Sequence, residues 1–108
     1  MVRMKKPVKW VGGSNDAVRD FPKVATIRIG HQLQRLQSGR DATDAKPMTS
    51  VGPGVYEIRV QCEDGAFRVF YVANRDDAIY VLHAFRKTTQ KTEKRDIELG
   101  KARLKSLG

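Results

Sequence analysis

The chain has 108 residues, of which 40% are hydrophobic and 31% charged, and its net charge is +9 at pH 7. This length suits one domain, residues 1–108, and the composition excludes a disordered chain, while no apolar run approaches the ~20 residues of a bilayer crossing. The single cysteine, Cys62, excludes an internal disulfide and a Cys-rich zinc finger, and we expect a reducing, cytoplasmic compartment.

The positive charge is concentrated at the two ends of the chain. Residues 1–10 carry +4, residues 11–82 balance to zero, and residues 83–108 carry +5. The basic N-terminus lacks the apolar segment of a secretory signal. Charge gathered in patches attracts polyanions, which favours nucleic acid as a partner. A membrane surface is disfavoured because no helix combines a strong apolar face with aromatic anchors. Simple solubility remains an alternative explanation of the charge.

The N-terminal half predicts one short strand and two helices. The strand is expected at residues 9–11. Ser14 is a good N-cap residue and Asp16 suits the positive end of a helix dipole, so a short helix is expected from there to the next proline. A longer helix is expected at residues 23–38 and ends at Gly39. Its apolar residues share one face at spacings of four, four and three: Ala25, Ile29, Leu33 and Leu36.

The C-terminal half predicts a three-stranded meander and a final helix. Residues 40–54 contain two prolines and several small residues and are expected to form a long loop. Hairpin turns separate three runs with strand character, at residues 55–61, 67–73 and 78–85. Thr92 is expected to cap a helix at residues 93–107. The order β-α-α-β-β-β-α indicates an α+β fold whose antiparallel sheet is joined by two N-terminal helices and a C-terminal helix.

A charged group on the first two strands is the first candidate site. Glu57 and Arg59 lie two residues apart on one strand, so they project from the same face about 6.5–7 Å apart. Arg68 on the next strand falls within side-chain reach of them. A charge among apolar neighbours needs a partner. Glu57 therefore either forms a structural ion pair with one of the arginines or takes part in acid–base chemistry.

A second polar group lies where the third strand gives way to the final helix. Its members are His83, Arg86, Lys87, Gln90 and Lys91. The first backbone N–H groups of the following helix would add affinity for an anion at this point. The alternative is that the lysines form a solvated face and that His83 is a core histidine whose N–H is satisfied.

Four motifs occur in order along the chain: Lys46-Pro47-Met48, Gly54-Val55-Tyr56-Glu57-Ile58-Arg59, Phe67-Arg68-Val69-Phe70-Tyr71 and His83-Ala84-Phe85-Arg86-Lys87-Thr88-Thr89-Gln90-Lys91-Thr92. Together they resemble the RelE/ParE superfamily of toxins from type II toxin–antitoxin systems, and most closely its HigB-like, phage-related branch. The resemblance spans about residues 5–105, and the fold of that family agrees with the element order above.

The resemblance implies a ribosome-dependent mRNA endoribonuclease that needs no metal and no cofactor. The RNA 2′-OH would attack the adjacent phosphate and leave a 2′,3′-cyclic phosphate. The implied partners are mRNA on the ribosome and a cognate helix-turn-helix antitoxin, and operator DNA would be bound only through that antitoxin.

The resemblance also implies roles for individual residues. Arg68 matches the arginine of the second strand motif and is the candidate for phosphate stabilisation. Arg59 stays protonated and is a poor general base, whereas Glu57 is either the base or a partner that holds Arg68. RelE itself has lysines on the first motif strand, so the general acid and base are not assigned by resemblance. The implied catalytic residues are Glu57, Arg59, Arg68, His83 and Lys87, and the implied RNA-binding residues are Lys46, Arg86, Lys91 and Thr92.

Two other functions remain open at this point. A DNA gyrase inhibitor of the ParE kind would use the same scaffold and would not require acid–base residues on the sheet. A non-enzymatic nucleic-acid-binding domain would use the basic ends to follow phosphates. This last function is less favoured because no exposed strand carries the interleaved aromatic residues on which single-stranded bases stack.

Overall fold

The apolar strand runs of the C-terminal half form the centre of a five-stranded sheet. The computed structural model describes residues 5–108, so Arg3 of the basic N-terminal segment lies outside the described residues. The elements are β1 (Val8–Trp10), α1 (Ser14–Arg19), α2 (Lys23–Gln37), β2 (Ala45–Pro47), β3 (Val55–Cys62), β4 (Gly65–Val72), β5 (Ile79–Lys87) and α3 (Lys94–Ser106).

The strand order across the sheet is β1-β5-β4-β3-β2. The meander of β3, β4 and β5 is antiparallel, as predicted, and so is the pairing of β2 with β3. The structure differs from the prediction in two ways. β1 runs parallel to β5, so the sheet is mixed, and β2 lies inside the predicted loop of residues 40–54. The α+β class and the order of the predicted elements are confirmed.

The two faces of the sheet carry separate apolar cores. The four predicted residues of α2 are all buried on one face, together with β-strand residues such as Ile58 and Val69. On the other face, α3 packs through Ile97, Leu104 and Leu107 against a core that includes Phe70 and Leu82. Because both faces are covered, the central strands β4 and β5 are apolar on both sides.

Two predicted helix caps are wrong. Ser14 is the first residue of α1 rather than its cap, and its buried hydroxyl donates to the Val81 carbonyl at 3.1 Å. Thr92 lies before the observed cap residue of α3, which is Glu93, and its hydroxyl donates to Glu57 Oε2 at 3.4 Å. In both cases the hydroxyl donates to an acceptor on another element, and no side-chain hydrogen bond caps the helix. The predicted end of α2 is confirmed, because Gly39 has a φ of 81°.

Packing of α3 on the sheet is close. A Cβ atom at Gly100 would lie 2.9 Å from the Phe70 ring and 3.0 Å from the Val51 side chain, so only glycine fits there without displacement. Within residues 5–108, the helices are all too short or too polar to cross a membrane.

Candidate functional site

The strand register aligns polar side chains in a row across the face covered by α3. Lys46 on β2 pairs with Glu57 on β3, Glu57 pairs with Phe70 on β4, and Phe70 pairs with His83 on β5. Residues two positions further along each strand share the same face. Arg68 therefore lies beside this row and on its side of the sheet. Four strands contribute to one surface, although their residues are distant in the sequence.

A buried carboxylate lies between two cations at one end of this row. Glu57 has 0% of its side-chain surface exposed, and its Oε1 lies 3.7 Å from Arg68 Nε and 3.9 Å from Lys46 Nζ. Its Oε2 accepts the Thr92 hydroxyl at 3.4 Å. We call Lys46, Glu57, Arg68 and Thr92 the Glu57 cluster. The predicted proximity of Glu57 and Arg68 is thus present, and the cluster has one more positive than negative charge.

The ion pair within the Glu57 cluster is close but lacks a hydrogen bond. Glu57 Oε1 and Arg68 Nε are both buried and have no hydrogen-bond partner. The guanidinium is instead held by Nη1, which donates to the Phe67 carbonyl at 3.1 Å. Buried polar atoms are almost always hydrogen-bonded, and an unpaired one is costly. The Nε–H group is enclosed beside Glu57, so an additional oxygen ligand would have to use the other N–H donors of the guanidinium.

Arg59 is directed away from the Glu57 cluster. It lies directly opposite Arg68 in the β3–β4 pairing, and like charges facing each other across strands repel. Its Nη2 lies 2.8 Å from Oδ1 of Asp44, the residue just before β2, and its Nε donates to the same oxygen at 3.0 Å. Both side chains of this pair are about half exposed. The structure thus does not bring Arg59 together with the other predicted catalytic residues.

His83 lies at the other end of the row and is held by a residue that sequence reasoning missed. Its Nε2 lies 2.8 Å from Asp96 Oδ1, in the first turn of α3. The ring stacks on Phe85 with a centroid distance of 5.0 Å and contacts Phe70 at 6.0 Å. Burial among these rings lowers the pKa of His83, and the hydrogen bond to Asp96 opposes that effect only in part. His83 is therefore neutral at pH 7.

The remaining predicted residues divide between the two faces. Lys87 is two residues beyond Phe85 on β5, so it shares the face of the Glu57 cluster. Lys91 is exposed in the segment that leads into α3. Arg86 points to the opposite face, where it donates to the Asp64 carbonyl and lies 5.7 Å from the Phe67 ring centroid. The structure thus places Arg86 on the face opposite to that of Lys87, which follows it in the motif.

A cavity of about 610 Å³ lies on the other side of the sheet, beside α2. It is lined in part by Tyr56 and Tyr71, whose rings stack with centroids 6.0 Å apart. Burial is the main cause that raises the pKa of Tyr71 to about 12, so this hydroxyl stays protonated. The cavity contains none of the predicted catalytic residues. Within the part of the chain that the structure describes, no three His, Cys, Asp or Glu side chains are grouped so as to hold a metal ion.

The five-stranded mixed sheet with its three helices is compatible with a RelE-like fold. The family model described as Phage derived protein Gp49-like (DUF891) matches residues 16–105. This match contains the whole Glu57 cluster and both His83 and Asp96. The chain therefore belongs to the Gp49-like phage-derived family, a RelE-like toxin family. A comparison with curated proteins finds none that matches the chain.

Proposed function

We propose that this protein is the toxin of a type II toxin–antitoxin system, of the HigB-like branch, and that it is a ribosome-dependent mRNA endoribonuclease. One observation carries the proposal: a single sheet face holds two cations around a buried carboxylate, with a neutral histidine in the same row. Phosphate transfer to an RNA 2′-OH uses these groups, because it needs cations at the phosphate and a site for proton transfer.

In the proposed reaction, the cations act on the phosphate. Attack by the 2′-OH adds negative charge to the non-bridging oxygens as the phosphorane forms. Arg68 keeps 12% of its side-chain surface exposed, and its planar guanidinium is suited to binding two oxygens at once. Lys46 has 46% of its side-chain surface exposed and supplies a second positive charge from β2. Lys87 and Lys91 extend the positive surface along which the RNA backbone would lie.

Of the two roles left open for Glu57, positioning fits the structure better than general base. Its carboxylate has no exposed surface, so an RNA hydroxyl cannot reach it in this conformation. It contacts Lys46 and Arg68 on two different strands and thereby fixes the distance between them. The proton-transfer role then falls to His83, whose lowered pKa leaves the ring neutral and able to accept a proton.

The proposed partners follow from the same function. The substrate is mRNA in the ribosome, and the neutralising partner is a helix-turn-helix antitoxin through which operator DNA is bound. We propose that the protein acts in the cytoplasm and uses no metal or cofactor.

The substitution Arg68→Ala tests the proposal most directly. We expect it to abolish growth inhibition on induction and to lower cleavage of mRNA on translating ribosomes by about 10²–10³-fold, the usual effect of losing one preorganised donor to a developing oxyanion. Arg28→Ala is the matched control, because it removes the same charge from α2 on the other face and is expected to leave cleavage intact. Urea unfolding of each variant establishes that the fold persists.

Primer extension on the mRNA gives a direct readout of cleavage. New 5′ ends inside translated codons are expected with the wild type and are expected to disappear with Arg68→Ala. If Arg68→Ala cuts as well as the wild type, the role of Arg68 is wrong. If the wild type produces no cuts on translating ribosomes but blocks supercoiling by purified gyrase, the ParE-like function replaces the nuclease. Salt-sensitive RNA binding without cleavage or gyrase inhibition identifies a non-enzymatic binding domain.

A further inference from the structure

A buried polar contact joins α3 to the face of the sheet that carries the proposed site. Asp96 Oδ1 lies 2.8 Å from His83 Nε2, and the two side chains are only 13% and 11% exposed. A second polar contact holds the far part of the helix, where Arg103 Nη1 donates to the Leu82 carbonyl at 2.9 Å. Asp96 is therefore at the point where the N-terminal turn of α3 meets the polar row.

The chemistry of this contact determines which ring nitrogen of His83 carries the proton. A carboxylate accepts hydrogen bonds and donates none. Nε2 must therefore carry the proton that Asp96 accepts, and the lone pair of the neutral ring is on Nδ1. In solution the imidazole ring interconverts between its tautomers, whereas here one buried contact selects one of them and also fixes the ring orientation.

We propose that Asp96 is the positioning residue for proton transfer, because it holds His83 with Nδ1 free to accept the proton of the RNA 2′-OH. This inference rests on the proposed nuclease function and adds a residue that no motif of the sequence indicated. In the reaction the O2′–H bond transfers its proton to Nδ1, the O2′–P bond forms and the P–O5′ bond breaks. The 5′ oxygen takes a proton from water, and the resulting hydroxide is neutralised when the imidazolium releases its proton.

The surroundings of His83 agree with a base rather than a permanent cation. The charged groups that act on the ring are Asp96 and Arg103, both on α3, and its neighbours on the sheet are Phe70 and Phe85. Burial is the largest influence and lowers the pKa of His83, while Arg103 acts in the same direction. When the ring accepts a proton, the carboxylate of Asp96 stabilises the charge that appears.

The start of α3 also connects the two ends of the row. Thr92 contacts Glu57, and Asp96, four residues later, contacts His83. The position of residues 92–96 thus affects both Glu57, with its two cations, and His83. Gly100, one turn further on, brings α3 close enough to Phe70 for these contacts to form.

The test compares Asp96→Asn with Glu98→Gln, a carboxylate-to-amide change on the exposed side of the same helix, where Glu98 only pairs with Lys101. We expect Asp96→Asn to lower cleavage on translating ribosomes by about 10²-fold and Glu98→Gln to leave it unchanged. His83→Gln is expected to lose about 10²–10⁴-fold. Asp96→Asn in the His83→Gln background should then cost little more, because the two residues act as a unit.

A structural role alone would give a different result, since Asp96→Asn would then lower cleavage equally in both backgrounds, and this outcome overturns the inference. Wild-type activity in Asp96→Asn also overturns it. A wild type without any cleavage refutes the proposed function itself, and the inference with it. If His83→Gln is inactive while Asp96→Asn is fully active, the proposed nuclease function is retained and only the role of Asp96 is wrong.

A second readout does not depend on activity. Long-range ¹H–¹⁵N correlation NMR reports the tautomer and pKa of each histidine, and the exposed His31 on α2 serves as the internal reference for His83. The inference expects the Nε2–H tautomer in the wild type. It also expects a further fall of the His83 pKa in Asp96→Asn, because the carboxylate that opposes the effect of burial is lost. An Nδ1–H tautomer in the wild type overturns the inference.

Discussion

The substitution Glu57→Gln removes the charge of the buried carboxylate while keeping its size and an oxygen for the Thr92 hydroxyl. Two unit charges 3.7 Å apart attract by about 4–5 kcal/mol at an effective dielectric constant of ~20. The cost of burying both ions offsets part of this attraction. Lys46 is about half exposed, so its contact adds no more than about 1 kcal/mol. The loss of folding free energy also includes the penalty of leaving Arg68, whose side chain is 12% exposed, without a counter-charge.

We therefore expect Glu57→Gln to lower the free energy of unfolding by about 3 kcal/mol, at the low end of the range for breaking a buried pair. Urea unfolding followed by far-UV circular dichroism and by fluorescence of the single tryptophan, Trp10, measures this change. With a urea slope of ~1.5 kcal/mol per molar, the midpoint falls by about 2 M.

Two further variants test the physical reasoning. Asp44→Asn breaks the Arg59 ion pair, whose partners are 43% and 55% exposed, and should cost less than about 1 kcal/mol. The double variant Glu57→Gln/Arg68→Met removes both buried charges and should recover most of the lost stability. A Glu57→Gln protein within about 0.5 kcal/mol of the wild type would show that the buried ion pair contributes no stability, because that range is ordinary for surface changes.

Two other predictions concern pH and packing. Burial lowers the pKa of His83 below its ordinary value of 6.5, so its contribution to stability is complete above pH 6.5 and is lost as pH falls through the lowered value. His83→Gln should accordingly reduce the fall in urea midpoint between pH 7 and 5, and an unchanged fall contradicts this. Gly100→Ala places a Cβ against Phe70 and Val51 and should cost about 1–3 kcal/mol, whereas Gly30→Ala, with open space around it, should gain about 0.5–1 kcal/mol. If urea unfolding shows that both Gly100→Ala and Gly30→Ala increase the free energy of unfolding, the packing argument is contradicted.

Local patterns predicted the long elements of this protein well. The apolar spacing of α2 is a property of one segment, and the structure buries each of the four predicted residues. The three strands of the meander needed only alternation and turn residues, and their observed bounds lie within two positions of the predicted ones. The two short edge strands, β1 and β2, were harder to predict from the sequence. β1 needs a parallel partner about 70 residues away, and β2 is too short to show a period of two.

The candidate site was predictable only in part, because a strand pattern assigns a face and not a direction. Glu57, Arg59 and Arg68 were all expected on one face, and the register agrees. Arg59 is nevertheless directed outward, because Arg68 repels it and the nearby Asp44 attracts it. Asp96 showed in the sequence only as an acid in the first turn of a helix, which the helix dipole explains without any functional role.

Local sequence patterns were enough to locate the long helices and the meander strands, to assign side chains to faces, and to show that the chain is strongly basic. These properties depend on neighbours within a few residues and on a sum of charges. Packing between elements settled that Thr92 contacts a carboxylate, that Arg86 faces away from the adjacent Lys87, and that α3 places Asp96 beside His83. Each of these outcomes is a competition between partners on different elements, and such a competition is settled by distance and burial, which appear only when the elements have packed.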